Sequence, residues 1–489
     1  MKKLFLILPL ALALVSCSGD KAPVIEPKSE EELSGLRVAT VSGSIYDMGL
    51  SPREDISLQL FNATSDVLQA LINGTADVIV HDEVIFNAQV RKEHGIKIAF
   101  KGEYGFPTAF MFDKNDVELA QACSAVLRRM EADGSLQRLK DFWLTDEYAE
   151  AESYTHIPNQ TEGTPLRVAT SAMTAPLSFQ IGQDWYGIEV DIMLELGKEL
   201  HRPVEFKLYD PASSFMALSS GKADVVSGCI FITPEREDQF LFSDPYHVYH
   251  PAYFVKDPNA DSQEIGLWPW LKKSIKRNLI DEDRWKFIVD GLLETLKISI
   301  LAILLGSVLG IGLYLLTRSK RKWVRAIGGV YNSLIAGIPE LVLLLILFYV
   351  IFAGSALPAD MVAVICFAMY FASGVSDVYG TSLDAIPHGQ TEAGLALGFT
   401  RSQTFFNIVL PQAIRRGLPL YKGQCISLLK GTAIVGYIAI HDLTRAGDLI
   451  RSRTFEALVP LLSVTIIYFL LVWLIGLLLK LITPKKKVL

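Results

Sequence analysis

Long hydrophobic stretches are concentrated in the second half of this 489-residue chain. Five of them stand out, at residues 287–316, 330–352, 361–383, 426–440 and 458–482. A helix of about 20 apolar residues is long enough to cross the hydrocarbon core of a membrane. The pattern therefore predicts an all-α transmembrane domain of about five helices over residues 286–483, in which the fourth span is the shortest.

Residues 36–256 are more polar, and their short apolar runs predict the strands and helices of an α/β fold. The pentapeptide Leu-Arg-Val-Ala-Thr occurs twice, at residues 36–40 and 166–170, and each copy is predicted to open a βα segment. The polar residues 146–165 carry prolines and a glycine, which predicts a linker between the two segments.

The chain begins with two lysines, an apolar run at residues 4–15 and then Cys17. This arrangement resembles a bacterial lipoprotein signal peptide. Residues 1–17 would then be the signal peptide, Cys17 would be lipidated, and the polar residues 18–35 would form a tether. The alternative is an uncleaved signal anchor. Both interpretations place the α/β region outside the cytoplasmic membrane.

Basic residues indicate the orientation of the predicted spans. They cluster at residues 318–322, between 401 and 422, and at 485–487. The positive-inside rule puts these clusters in the cytoplasm, and it puts residues 18–285 on the periplasmic side of a bacterial inner membrane. Three arginines count against this arrangement because they fall on the outer side: Arg445, Arg451 and Arg453.

Residues 265–285 combine three tryptophans with several lysines and arginines. This composition predicts an interfacial helix that contacts membrane lipid before the first span. A plain charged linker is the alternative.

Composition excludes several classes of protein. The formal net charge of −7 argues against nucleic-acid binding, and five cysteines imply no disulfide framework. No Gly-x-x-x-x-Gly-Lys-Ser/Thr phosphate loop occurs, so we expect no ATP hydrolysis in this chain. No metal site or cofactor is expected, and an enzyme is a minor alternative because no acid–base cluster stands out.

Residues 389–412 form a polar segment between two predicted spans. Its small residues would allow another protein to approach the backbone closely, Glu392 would be favoured near a helix start, and Pro411 is expected to end the element. The segment resembles the "EAA" coupling loop of ABC importer permeases. The resemblance implies contact with a cytoplasmic ABC ATPase dimer through Glu392, Ala393, Gly398, Leu410 and Pro411. An ordinary cytoplasmic loop is the alternative.

Further motifs across residues 286–483 resemble the polar amino-acid permease family. They include Gly291-x-x-x-Thr295, the Gly-Ile-Pro at residues 337–339 and the Lys-Gly-Thr-Ala at 430–433. Ala336, Ile338 and Gly380 depart from the family pattern. Intramembrane polar groups are costly unless they have a use, which makes three residues candidates for the translocation path: Lys430, Thr432 and Asp377. Lys430 could equally have a structural role.

The α/β region resembles a family 3-type periplasmic solute-binding protein whose two parts are in reversed order. Motifs within residues 166–256 resemble the family's first lobe, and those within 36–145 resemble its second lobe and closing helices. We therefore predict a two-lobed type II periplasmic binding fold that is circularly permuted. A degenerate tandem pair is the alternative.

The resemblance implies that the ligand is a small polar solute, most simply an amino acid. Arg236, just after Thr233, matches the carboxylate-binding arginine, whose planar fork can bond both oxygens. Asp82 matches the ammonium partner on the other lobe, and Ser44 matches a loop hydroxyl beside the carboxylate. The cleft also departs from the family, at Ser171, Thr174, Cys229 and Phe231. An aromatic clamp would have to be rebuilt, with Phe231, Tyr46 or Phe179 as candidates.

Together these features predict an importer subunit with its own periplasmic receptor, driven by a separate ATPase. Five spans per chain imply a homodimeric or heterodimeric pore. A ligand-gated ion channel is the alternative, since it also joins such a sensor domain to membrane helices. A channel predicts a pore loop and no coupling loop, and the sequence has the reverse.

Overall fold

The computed structural model describes residues 25–145, 157–170, 175–181, 184–260 and 266–482. These residues form two compact units, one of residues 25–105 with 250–260, and one of the remaining described residues. The predicted signal peptide, Cys17, part of the linker, Ser171 and Thr174 lie outside the described residues.

The N-terminal unit is built on a five-stranded sheet with the order β2-β1-β3-β14-β4. Strands β1, β2 and β3 are parallel, and β14 is antiparallel to both of its neighbours. The strands are β1 (Arg37–Val41), β2 (Ser57–Phe61), β3 (Val78–Asp82), β4 (Ile96–Lys101) and β14 (Pro251–Lys256). Three helices connect them: α1 (Ile45–Leu50), α2 (Thr64–Ile72) and α3 (Ala88–His94).

The second unit contains an α/β lobe, called here the C-lobe, formed by described residues within 106–249. Its five-stranded sheet has the order β10-β7-β11-β6-β12. The strands of the lobe are β5 (Phe106–Thr108), β6 (Met111–Asp113), β7 (Leu166–Thr170), β8 (Phe179–Ile181), β9 (Asp184–Tyr186), β10 (Val204–Leu208), β11 (Val225–Ser227), β12 (Phe240–Phe242) and β13 (His247–Tyr249). Its helices are α4 (Val117–Ala132), α5 (Ser135–Trp143), α6 (Ile188–Glu199), α7 (Pro211–Ser219) and α8 (Pro234–Glu237).

Each five-stranded sheet contains one strand that is distant in sequence from the other four. Strand β14 lies between β3 and β4, and β6 lies between β11 and β12. The helices that follow β6 pack on the C-lobe, where the buried indole of Trp143 donates a hydrogen bond to Asp191 (2.7 Å). The predicted fold class, an α/β binding domain joined to an all-α domain, is confirmed. The circular permutation stays a prediction.

The helical domain follows the C-lobe in the same compact unit. Its helices are α9 (Leu267–Ile275), α10 (Trp285–Thr317), α11 (Lys322–Gly337), α12 (Glu340–Ile346), α13 (Ala359–Asp384), α14 (His388–Ala396), α15 (Arg401–Thr404), α16 (Leu410–Gly431), α17 (Leu443–Thr454) and α18 (Leu458–Ile482). Among the described residues, α10, α13 and α18 are each long and apolar enough to cross a membrane. The number rises to five if each of two bent helix pairs counts as one span.

The two bent pairs correspond to the second and fourth predicted spans. The second is not the single straight helix that its apolar run suggested, because α11 ends at Gly337 and the chain turns by 106° into α12. Pro339 explains the break, since proline has no amide hydrogen for the helix ladder. The fourth continues from α16 into a tighter 3₁₀ segment at Thr432–Ile438 and bends by 52° before α17.

Candidate functional site

Arg236 lies in the short helix α8 of the C-lobe. Thr233 caps this helix, because its hydroxyl accepts the backbone N–H of Arg236 (3.4 Å). One guanidinium nitrogen donates to the carbonyl of Phe231 (2.9 Å), and the guanidinium carbon lies 5.4 Å from the ring centre of Phe215. Burial lowers the pKa of Arg236, yet an arginine remains charged at any ordinary pH. The fixed fork therefore has further donors for a carboxylate.

Asp82 is the last residue of β3 and is buried. Its carboxylate accepts a hydrogen bond from the hydroxyl of Tyr46 on α1. The adjacent His81 accepts the backbone N–H of Asp82 at Nδ1 (2.8 Å). The N-terminal unit thus contains a buried carboxylate that accepts a tyrosine hydroxyl, on a backbone whose N–H is held by the neighbouring imidazole.

Ser44 has a different position from the one expected of a ligand-facing hydroxyl. It is the N-cap of α1, and its Oγ accepts the backbone N–H of Asp47 (3.2 Å). The cap positions the helix that carries Tyr46, so Ser44 is connected to Asp82 through one intervening side chain. Its direct contact with solute stays a prediction.

The three aromatic candidates for a rebuilt clamp are all buried. Phe179 is fully buried and packs edge-on against Trp143. Phe231 lies edge-on to Phe106, and Tyr46 bonds to Asp82. Phe179 therefore belongs to the core of the C-lobe.

Sequence reasoning missed a buried polar cluster beside Cys229. The carboxylate of Glu189 is 1% exposed and accepts hydrogen bonds from the Tyr246 hydroxyl (2.6 Å) and the Cys229 backbone N–H (2.7 Å). Burial raises the pKa of Glu189. Cys229 has a positive φ of 57°, so Glu189 supports a loop in an unfavourable backbone conformation. The motif Gly-Ile-Glu-Val-Asp at 187–191 contained the signal, but nothing in it indicated the partners.

Residues 388–412 form a helix, a turn and a second helical segment. Gly394 is buried, and a Cβ atom there would lie 2.6 Å from the Thr404 methyl group, so α14 and α15 can approach only with glycine at this position. Gly398 makes the turn with φ 87°. Thr400 and Gln403 then form a reciprocal capping box at the start of α15.

The outer surface of this segment is exposed. Glu392 and Ala393 are exposed, and the apolar side chains of Leu397 and Phe406 are 77% and 60% exposed. Two expectations were wrong. Glu392 is the fifth residue of α14 rather than part of its first turn, and Pro411 is the second residue of α16 rather than the end of an element. A π-helical turn at Phe405–Val409 leads directly into Leu410 and Pro411, and such a turn interrupts the regular hydrogen-bond ladder where proline has no N–H to donate.

Residues 166–412, just over half of the chain, match the family described as bacterial extracellular solute-binding proteins, family 3. The L-cystine transport system permease protein TcyB of Bacillus subtilis is 32% identical over 209 residues, which are 42% of this chain and 89% of that protein. A Rickettsia typhi protein named for a glutamine transport system permease, GlnP, is 33% identical over 201 residues, with 41% and 92% covered. The chain belongs to the ABC-transporter permease family and carries a family 3 solute-binding domain.

The permease also matches a crystal structure of an amino acid ABC transporter with histidines. The identity is 28%, the TM-score is 0.39, and 45% of this chain and 99% of that chain are covered. The relatives support the importer prediction and do not support the ligand-gated channel.

The candidate path residues of the permease differ in exposure. Lys430 and Asp377 are exposed on the single chain, whereas Thr432 is fully buried and donates to the carbonyl of Leu429 (2.8 Å). Thr432 thus has a structural bond. A role in the path stays a prediction for all three.

Two motifs of the permease pack against each other. A Cβ on Gly291 would lie 2.6 Å from the carbonyl oxygen of Asp442, and the hydroxyl of Thr295 accepts the backbone N–H of Leu443 (3.0 Å). The spacing Gly291-x-x-x-Thr295 places both residues on one face of α10. This face therefore receives the turn that begins α17.

Proposed function

We propose that the chain is the membrane-spanning subunit of an ABC importer for an amino acid or a similar small polar solute. The observation that carries the proposal is the exposed surface of residues 388–412, where Glu392, small residues and apolar side chains lie on short helices joined by a turn. Such a surface suits docking of a separate ATPase dimer, which would bind and hydrolyse the ATP. A second permease chain, identical or different, would complete the pore.

Arg236 and Asp82 supply the two charges that a zwitterion needs. A guanidinium fork binds a carboxylate, and a buried carboxylate binds an ammonium group. Amino-acid transport is also named in the relatives' descriptions. Residues 18–285 would lie on the periplasmic side of the inner membrane, anchored by lipidated Cys17, with 265–285 at the lipid interface. The reversed order of the lobes is consistent with the family match beginning at Leu166, the first residue of β7.

The proposal is tested in proteoliposomes that contain the full chain and its co-purified ATPase. We expect ATP-dependent uptake of at least one radiolabelled amino acid without any added binding protein. Leu397→Asp should abolish uptake and solute-stimulated ATP hydrolysis, while solute-induced thermal stabilisation of the purified chain remains. Val117→Asp, at an exposed apolar side chain that begins α4 of the C-lobe, outside both the coupling segment and the predicted membrane spans, is the matched control for inserting a charge. Uptake that survives Leu397→Asp at the wild-type rate would contradict the proposed docking surface.

A further inference from the structure

The C-lobe is attached to the membrane helices through side-chain contacts as well as through the chain. Lys222 follows α7, and its ammonium group donates to the carbonyl oxygens of Phe352 (2.5 Å) and Ser355 (3.3 Å). It also lies 5.1 Å from the ring centre of Phe348. Phe352 ends the helical segment at Leu347–Ile351, and the carbonyl end of a helix favours a cation.

A second contact joins the start of α7 to two membrane segments. The hydroxyl of Tyr349, a side chain that is 8% exposed, lies 3.1 Å from the carbonyl of Tyr437 and 3.4 Å from that of Ser213. Tyr349 therefore connects the C-lobe to both bent helix pairs at one point.

A third contact lies at the end of α17. The Arg453 guanidinium lies 4.3 Å from the ring centre of Phe179 and pairs with Glu282 (3.2 Å). Phe179 is fully buried, so this cation–π contact is shielded from solvent and gains strength accordingly. Arg453, which counted against the predicted orientation, thus has two partners.

Apolar packing continues across the same boundary. One cluster of buried side chains extends from the C-lobe into the membrane helices, and its members include Ala217, Leu218, Val226, Leu344 and Phe348. Continuous apolar packing is typical of permanent interfaces, whereas transient ones are more polar.

We propose that the C-lobe is a permanently docked half of the receptor, with Lys222 as its anchor. This inference rests on the proposed importer function. A separate binding protein must dock and leave in each cycle. Here the lobe that carries Arg236 stays on the outer ends of the permease helices while solute binds and leaves. Solute is therefore captured on a surface that already belongs to the pore.

Cross-linking tests this directly in the full chain with Cys229→Ser as background. Ser220→Cys and Ser355→Cys, which leave Lys222 in place, are joined by a short bis-maleimide, and the yield is measured without solute, with a saturating amino acid, and with ATP and vanadate. Permanent docking predicts the same high yield in all three states. A yield that falls in any state shows undocking and overturns the proposal. Arg128→Cys with Ser355→Cys is the control for random collision and should give a low yield, since Arg128 lies on α4 of the same lobe and pairs with Asp244.

Uptake provides the second readout. We expect Lys222→Gln to lower uptake roughly tenfold, with the solute Kd changed less than about twofold, because a charge-assisted anchor is lost outside the binding residues. In the double variant Lys222→Cys with Ser355→Cys, cross-linking the two cysteines should restore uptake, because the cross-link replaces the lost anchor. Cross-linked protein that binds solute but does not transport it would overturn the proposal. If the wild-type chain transports nothing, the importer function fails, and the cross-linking yields still decide whether the lobe stays docked.

Discussion

The two segments that begin with Leu-Arg-Val-Ala-Thr are built alike at their first strands. In the N-terminal unit, Arg37 pairs with Asp77 (2.6 Å), and the Arg37 backbone N–H donates to the same carboxylate (2.9 Å). In the C-lobe, Arg167 and Asp224 make the same contacts at 2.5 and 2.9 Å. The shared residues thus tie β1 to the residue before β3 in the N-terminal unit, and β7 to the residue before β11 in the C-lobe.

The segments differ where chemistry is expected. Five residues after the shared aspartate, the N-terminal unit has Asp82 and the C-lobe has Cys229. The residue two positions before the shared aspartate also differs. In the N-terminal unit it is Thr75, whose hydroxyl donates to the nearby carbonyl of Ala70, and in the C-lobe it is Lys222, which donates to the carbonyl of Phe352 in the membrane helices. The residues common to both segments maintain the fold. The divergent positions are those to which we assign different roles, ammonium binding in the N-terminal unit and docking in the C-lobe.

The largest expected effect is a difference in solute affinity between variants of Asp82 and of its counterpart Cys229. Asp82→Asn should raise the solute Kd roughly 100-fold, because it removes the buried carboxylate that we expect to pair with the solute's ammonium group. Cys229→Ser should change the Kd less than about threefold, since the contact to Glu189 uses the backbone N–H. Titration calorimetry on the full chain measures both. Equal losses in the two variants would mean that the segments share the solute more evenly than we propose.

Acid should destabilise the N-terminal unit through His81, whose counterpart in the C-lobe is Gly228. Burial lowers the pKa of His81 to about 4, and Nδ1 is unprotonated because it accepts the Asp82 N–H, although the Asp82 carboxylate is 3.7 Å away. In the unfolded chain a histidine takes up a proton near pH 6.5. The contribution of neutral His81 to the free energy of unfolding is therefore fully present above that pH. As the pH is lowered from 6.5 to 4, the free energy of unfolding should fall by about 1.4 kcal/mol per pH unit.

Hydrogen-exchange mass spectrometry on β3 and β11 peptides checks this difference. His81→Gln should flatten the pH dependence of β3 and leave β11 unchanged. A β3 slope that persists in His81→Gln assigns the acid sensitivity to another group.

The paired aspartates should differ in their contribution to stability. Asp224 also accepts from Arg202 (3.3 Å), whereas among the described residues Arg37 is the one cationic partner of Asp77. Asp224→Asn should lower the local free energy of unfolding by about 1–2 kcal/mol, a figure reduced by solvent screening. Asp77→Asn should cost less. Exchange of the β1 and β7 amides measures both variants, and the reverse order would remove the role we give Arg202.

The smallest effect concerns two matched glycines. Gly74 and Gly221 have φ values of 72° and 68°. Alanine at a positive φ costs about 1 kcal/mol, so Gly74→Ala and Gly221→Ala should destabilise their units about equally. The same exchange measurement applies. A clearly larger loss at Gly221 would indicate that its turn also supports the Lys222 anchor.

Much of the fold was predictable because its signals are local. Apolar runs located α10, α13 and α18, and the repeated pentapeptide located β1 and β7. The break before α12 was missed because an apolar count gives Pro339 no special weight, although its backbone chemistry interrupts a helix. The two interleaved strands β6 and β14 could not be predicted, since their neighbours lie far away in sequence.

The site was less predictable than the fold. Ser44 matched a ligand-binding motif, yet a serine before a helix is also an ordinary N-cap, and sequence does not separate the two. Nothing in the sequence indicated that Lys222 contacts the membrane helices. Its partners are the backbone carbonyls of residues 352 and 355, and a backbone carbonyl leaves no pattern in the side chains. Arg236 and Asp82 were found through motifs, and their roles stay predictions.

The position of β14 between β3 and β4 has a consequence for biosynthesis. Strands β3 and β4 do not pair with each other, because β14 fills the place between them, and β14 starts only at Pro251. Until the ribosome has passed that residue, the N-terminal sheet has two open inner edges, which is the condition in which strands aggregate. The nascent chain therefore needs protection until just before the helix α10 emerges. A truncation ahead of Pro251 would yield an incomplete sheet and not a smaller receptor.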